Sequence, residues 1–212
     1  MSSIIWENMR ENQKPFFRKI ISKERMHHKY FLNKEKKFLN KKLNGYPAVF
    51  FDRDGVIIKE KHYLSRPELL EFEEGALELM NKFNSFGWKV IIVTNQSGIC
   101  RKYFTWEDYE RVSEKFIEIC GSPIPLDAIY ANGYGPKENN STWRKPNPGM
   151  LLEACNDLEV DLRNSIIIGD RESDLIAGLK AGLKMVIHVK TGHGKSERKI
   201  IRNDVIIGQW IF

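Results

Sequence analysis

From Tyr46 onward, short apolar runs alternate with longer stretches whose apolar residues recur at helical spacing, and that alternation admits few folds. The runs are residues 48–51, 90–93, 128–131, 166–168 and 185–189, with a weaker one at 205–207. Between them lie helical stretches at about 75–86, 105–120, 148–158 and 173–181. Strand and helix in turn predict an α/β fold, a parallel central sheet with helices on both faces. Thr105 and Asp108 read as a capping box with Asp in place of Glu. Asn147 before Pro148 reads as an N-cap followed by a proline at the first helical position.

The first run stops at Asp52-Arg53-Asp54-Gly55. In extended chain, residues i and i+2 point the same way, so Asp52 and Asp54 can both face a pocket at the strand's carboxyl end. Open α/β sheets bind ligands there. An ordinary Asp-Gly turn is the plain alternative. Two carboxylates this close repel unless a cation lies between them or one holds a proton, and both arrangements suit phosphoryl transfer. One Asp can attack phosphorus as a metal-held carboxylate. The other, protonated, gives its proton to the leaving oxygen and later activates water.

Three further stretches carry polar groups. Val93-Thr94-Asn95-Gln96-Ser97-Gly98 offers a hydroxyl and the N–H groups of a Gly-containing turn to a phosphate, although a plain turn uses the same residues. Arg144-Lys145 stands just before a helical stretch. Lysine as a point charge can neutralise a phosphate and an attacking Asp together, and arginine can bind a pair of phosphate oxygens. Ile168-Gly169-Asp170 is followed by Asp174. Magnesium takes one or two carboxylates plus waters and phosphate oxygens, so Asp170 beside Asp52 completes such a site. Asp174, one helical turn on, either orients the site from behind or caps the following helix.

The 212 residues, 42% hydrophobic and 29% charged, describe one soluble core or a core with an appendage. No run approaches the roughly 18 apolar residues of a membrane span. The N-terminus lacks a charged region followed by an apolar one, so no secretory signal is read and cytoplasm is the expected location. Cys100, Cys120 and Cys155 are odd in number and form no Cys-x-x-Cys, which argues against a disulfide framework. Charge is uneven: residues 1–45 hold twelve Lys or Arg against four Asp or Glu, leaving 22 against 24 in residues 46–212. The basicity is N-terminal, so the pI of 9.1 says little about the body of the chain.

Taken together, Phe51-Asp52-Arg53-Asp54-Gly55, Val93-Thr94-Asn95-Gln96-Ser97-Gly98-Ile99, Arg144-Lys145-Pro146-Asn147-Pro148-Gly149-Met150 and Gly169-Asp170 with Asp174 resemble the haloacid-dehalogenase (HAD) superfamily of phosphatases. The resemblance covers about residues 46–196 and is to the branch of heptose-bisphosphate and histidinol-phosphate phosphatases. It implies a HAD-like Rossmannoid three-layer sandwich with a minimal cap made only of loops, here 62–71 and 132–142. It also implies a magnesium-dependent phosphatase working through an aspartyl-phosphate. Asp52 would be the nucleophile and Asp54 the general acid/base. Thr94 and Lys145 would bind phosphate, and Asn95 and Arg144 would help hold substrate. Magnesium would be held by Asp52, Asp170 and the backbone carbonyl of Asp54.

Two departures stand out. Members of this branch carry a Cys/His zinc cluster in the loop before Arg-Lys-Pro, but residues 133–142 contain neither residue, so no structural zinc is expected. The basic segment 1–45 is an addition, read as a partly helical extension with Phe31, Lys34, Lys37, Phe38 and Lys41 at helical spacing. It would contact an anionic partner or pack on the domain formed by 46–212, and its removal is expected to affect solubility or partner binding more than chemistry. His27-His28 is not expected to form a metal pair. The expected substrate is a small sugar phosphate, heptose bisphosphate before histidinol phosphate or another small ester. Two phosphates would suit Arg144 and Lys145, with Arg53, Arg101 or Lys102 as additional cations. A polynucleotide-end phosphatase is the alternative enzyme, disfavoured by the slightly acidic body. A catalytically silent sugar-phosphate binder is the alternative outside catalysis.

Overall fold

The computed structural model describes residues 17–22, 26–32, 45–137 and 141–198. In chain order they form β1 (Phe17–Ser22), β2 (His27–Leu32), β3 (Ala48–Phe51), α1 (Ala76–Ser85), β4 (Lys89–Asn95), α2 (Ser97–Cys100), α3 (Trp106–Cys120) and β5 (Ala128–Asn132). After these come α4 (Gly149–Leu158), β6 (Ile166–Gly169), α5 (Glu172–Ala181), β7 (Met185–His188) and α6 (Gly194–Glu197). One seven-stranded sheet runs β1-β2-β5-β4-β3-β6-β7. The five strands from β3 to β7 are parallel, whereas β2 pairs antiparallel with both β5 and β1.

The central runs are apolar at every position because both faces are covered. Val49 and Phe51 of β3 join Val90, Ile92, Ile129 and Ile168 on the face packed by α1 and α3. Phe50 joins Ile91, Val93, Tyr130 and Ile167 on the face packed by α4 and α5. The predicted three layers are therefore present. Among the described residues, no helix is long and apolar enough to cross a membrane.

All five stronger strand expectations and all four helices appear within a residue or two of their predicted bounds, while 205–207 lies outside the described residues. Thr105 and Asp108 do form a capping box. The expected N-cap at Asn147 does not: Pro148 holds that position, and the Asn147 amide donates to the Ser141 carbonyl instead, at 2.9 Å.

The helical reading of the basic segment is corrected where it is described. Residues 17–22 and 27–32 are strands, and Phe31 lies in β2; Lys34, Lys37, Phe38 and Lys41 are outside the described residues. The reason is a period of two: His28, Tyr30 and Leu32 are buried, while His27, Lys29 and Phe31 are only partly so. The basic residues then find acids on the helices. Lys29 pairs with Glu153 at 2.5 Å and Asp157 at 2.9 Å on α4, and Lys19 pairs with Glu110 on α3. The sheet thus extends into the segment read as an appendage.

Candidate active site

The sheet order sets the place. From β3 the chain moves to β4 and β5 on one side, then returns to β6 on the other, so the carboxyl end of β3 is a topological switch point. The Asp52 N–H donates to the Ile168 carbonyl at 3.0 Å, carrying the ladder one residue past β3. Thr94 and Asn95 close β4, and Asp170 follows β6. These ends meet in a cleft of about 790 Å³ lined by Asp52, Asp54, Thr94, Asn95, Arg144 and Lys145.

Lys145 is the centre of the floor. Its ammonium lies 2.9 Å from Asp52 Oδ1 and 2.7 Å from Asp174 Oδ1, and donates to the Val93 carbonyl at 2.7 Å. The side chain is 1% exposed. Burial opposes its charge, but the Asp174 and Asp52 carboxylates outweigh it and hold the Lys145 pKa above the ordinary value. One N–H is bonded to the Val93 carbonyl and the two carboxylates lie in ion-pair contact, so the ammonium is a charge held between two acids. Asp174 also accepts the Arg171 N–H at the start of α5, at 3.1 Å, the arrangement of a helix cap.

Burial pushes Asp52 up to about 7, with Lys145 opposing and Asp174 and Asp54 adding to the rise. Asp170 is pushed up to about 8 by burial and then by Asp52 and Asp174. Carboxylates this crowded call for a cation. Asp52, Asp170 and Asp174 offer oxygens that all lie within 4.8 Å of one another. Asp174 is committed to Lys145, whereas Asp170 Oδ1 is buried without a hydrogen-bond partner, so Asp52 and Asp170 fit a hard, oxygen-preferring ion. Two glycines make the room: a Cβ on Gly55 would stand 2.5 Å from Asp170 Oδ2, and one on Gly192 would stand 2.3 Å from it.

Asp54 is gripped from one side. Arg53 donates to both its oxygens at 3.1 Å, Gln96 Nε2 donates at 2.8 Å and Thr94 Oγ1 at 3.5 Å. This corrects the suggestion that Arg53 serves as a phosphate cation. It is buried, 5.1 Å from the centre of the Tyr109 ring, and its fork is spent on Asp54. Of the other two candidate cations, Arg101 lines the cleft and Lys102 does not. Asn95 also does more than expected. Its amide clamps the backbone of Lys145, donating to the carbonyl at 3.1 Å and accepting the N–H at 3.2 Å. Arg144 Nη1 donates to the Tyr134 carbonyl at 2.9 Å.

Both predicted closing loops reach the cleft, through His62, Tyr63 and Leu64 in one and Pro136 and Ser141 in the other. His62 and Tyr63 have φ of 46° and 68°. Side chains rarely adopt that conformation, and two in succession aim this loop at the site. Gln96 sits inside a motif read for its neighbours, and His193, whose N–H donates to Asp170 Oδ2 at 2.7 Å, sits in a segment to which the sequence analysis assigned no role. The signal for both was proximity in the fold alone.

Paired acids after the first parallel strand, a buried lysine and a further acid after a later strand define the class as an aspartate-based phosphatase of the HAD type. The family described as HAD-hydrolase-like matches residues 142–208. A Helicobacter pylori D-glycero-beta-D-manno-heptose-1,7-bisphosphate 7-phosphatase is 40% identical over 144 residues, 67% of this chain and 83% of that protein. The D-glycero-alpha-D-manno-heptose-1,7-bisphosphate 7-phosphatase of Photorhabdus laumondii is 36% identical over 73% of this chain and 88% of its own. The crystal structure of D,D-heptose 1,7-bisphosphate phosphatase from B. bronchiseptica, complexed with magnesium and phosphate, superposes with a TM-score of 0.70 at 26% identity, covering 76% of this chain and 92% of that one. The chain belongs to the HAD superfamily, in the family of the heptose-1,7-bisphosphate 7-phosphatases. It is a phosphoric monoester hydrolase of a magnesium-dependent class.

Proposed function

We propose that this protein removes the 7-phosphate of D-glycero-D-manno-heptose 1,7-bisphosphate. The observation that carries the reading is Lys145, buried between Asp52 and Asp174 on the floor of a cleft whose lining also holds Arg101 and Arg144. A bisphosphate needs positive charge at the reacting phosphate and again some distance away, and this cleft supplies both. The substrate names of the relatives support the same choice.

Asp52 attacks phosphorus, with Lys145 beside it to spread the charge of the incoming oxygens. Asp54, fixed by Arg53 and Gln96, passes a proton to the leaving sugar oxygen as the P–O bond breaks. The resulting aspartyl-phosphate is cleaved by a water whose proton returns to Asp54. Thr94 lines the phosphate pocket, and Asn95 keeps the Lys145 backbone in register. Asp52, Asp170 and the Asp54 backbone carbonyl would hold magnesium, which would supply charge neutralisation at the phosphoryl group.

The described parts of the 133–142 loop, residues 133–137 and 141–142, are tied by hydrogen bonds that Tyr134 and Ser141 make with Arg144 and Asn132, which supports the reading without a structural zinc. Three free thiols support a reducing cytoplasm as the setting.

The test is phosphate release with magnesium from both anomers of heptose 1,7-bisphosphate, histidinol phosphate and a 3′-phosphorylated oligonucleotide. One heptose anomer is expected to exceed the other compounds by at least about tenfold in kcat/KM. A preference for histidinol phosphate or the oligonucleotide would replace this reading, and inactivity toward all four would favour a silent binder.

A further inference from the structure

Trp143 immediately precedes Arg144 and Lys145, and its outer face is covered by the N-terminal hairpin. The His27 ring stacks on it at 3.8 Å between centroids and 9° between planes, and Lys29 Nζ lies 5.7 Å from the Trp143 ring centre. On its other side the same imidazole meets Tyr134 edge-on at 6.1 Å. Tyr134 is the residue whose carbonyl receives the Arg144 guanidinium. His27 therefore touches both ends of the clamp that sets where Arg144 stands. Its strand is tied to the same place by backbone, because His27 lies opposite Asn132 in the ladder and the Gly133 N–H donates to the Met26 carbonyl at 2.7 Å. Asn132, fully buried, then donates to Asn95 at 3.3 Å and to the Tyr134 carbonyl at 3.4 Å, and accepts from Ser141 at 3.3 Å.

We propose that His27 is a positioning residue for Arg144, and that through it the N-terminal hairpin sets the affinity for the part of the substrate that is not hydrolysed. The inference rests on the bisphosphate reading above for the ligand of Arg144, but the brace itself does not. The Lys145 ammonium is held by Asp52, Asp174 and the Val93 carbonyl, so the chemistry at the reacting phosphate is separable from the placement of Arg144.

The experiment compares the full chain with His27→Ala and His27→Phe on heptose 1,7-bisphosphate and on p-nitrophenyl phosphate, a single-phosphate ester too short to reach a second cation. Hydrogen exchange over residues 133–144 is followed in parallel. His27→Ala is expected to raise KM for the bisphosphate about tenfold, with kcat on both compounds within about twofold. Exchange at the Gly133 amide should quicken, and His27→Phe, which keeps a flat ring against Trp143, should restore both KM and protection. Equal losses on both esters would mean a merely structural role and overturn the proposal, as would an unchanged KM. If the wild-type chain ignores heptose bisphosphate yet cleaves the generic ester, the functional reading falls. Exchange then decides the brace alone, and unchanged protection in His27→Ala sinks it. Should His27→Ala prove insoluble, His27→Leu, which keeps bulk without a flat face, is read by the same criteria.

Discussion

Lys145 is charged because two acids surround it, and they are tolerable in the interior because it is there. Removing one partner from such a buried cluster leaves an uncompensated charge, which costs about 3–5 kcal/mol. Lys145→Met is therefore expected to lower stability by that order in urea titrations and to cut kcat by at least about a thousandfold; a variant as stable as the wild type would show that Asp52 and Asp174 do not depend on it. Asp52→Asn separates the two effects. It removes the proposed nucleophile while keeping its shape, so turnover should vanish with the circular-dichroism spectrum unchanged, and normal turnover would end the covalent mechanism. Asp52, Asp54 and Asp170 were legible in the sequence because each follows an apolar strand, where solubility alone gives no reason for it, and Lys145 because it stands with Arg144 just before a helical stretch. The grip of Arg53 and Gln96 on Asp54 was not legible, since it depends on how one turn folds over another. Arg53 was misread for the same reason: a charge beside a catalytic acid serves either the substrate or the acid, and only geometry tells which.

Elements in the body of the chain could be read because period and capping agree with the tertiary packing, as in α3 with its Thr105 box. The hairpin of β1 and β2 could not. The inward residues of β2 are His28, Tyr30 and Leu32, and a strand that opens with two histidines and a lysine does not announce a buried face. Removal of residues 1–44 is expected from the sequence to affect solubility or partner binding more than chemistry, and the pairing of β2 with β5 gives a reason to expect an effect on the fold as well. Without β2, the edge of β5 and the face of Trp143 lose their cover. The truncated chain should melt several degrees lower. It should also aggregate more readily and lose at least about tenfold in kcat/KM toward a bisphosphate. A truncation with the wild-type melting temperature would show that the hairpin is not integral.

At the scale of the whole molecule, the acid cluster couples stability to pH and to magnesium. In the metal-free fold Asp52 and Asp170 titrate at about 7 and about 8, above the ordinary Asp value of 3.8. The native chain then binds more protons than the unfolded one, so stability is greatest at the acid end of this window and falls as pH rises through it. Magnesium held by Asp52 and Asp170, as proposed, would displace those protons. The rise in melting temperature on adding magnesium should accordingly be larger at pH 8 than at pH 6, and an increment independent of pH would show that Asp52 and Asp170 are not its ligands. The pairing of His27 with Asn132 has a different consequence, one of timing. During synthesis β1 and β2 leave the ribosome first, but the strand they pair with emerges only about a hundred residues later. The hairpin strands must wait, solvated by their lysines, for β5 to be made before they can dock. A nascent chain stopped before Asn132 has its basic segment and no strand to pair it with, and the sheet cannot be finished until β2 returns to β5.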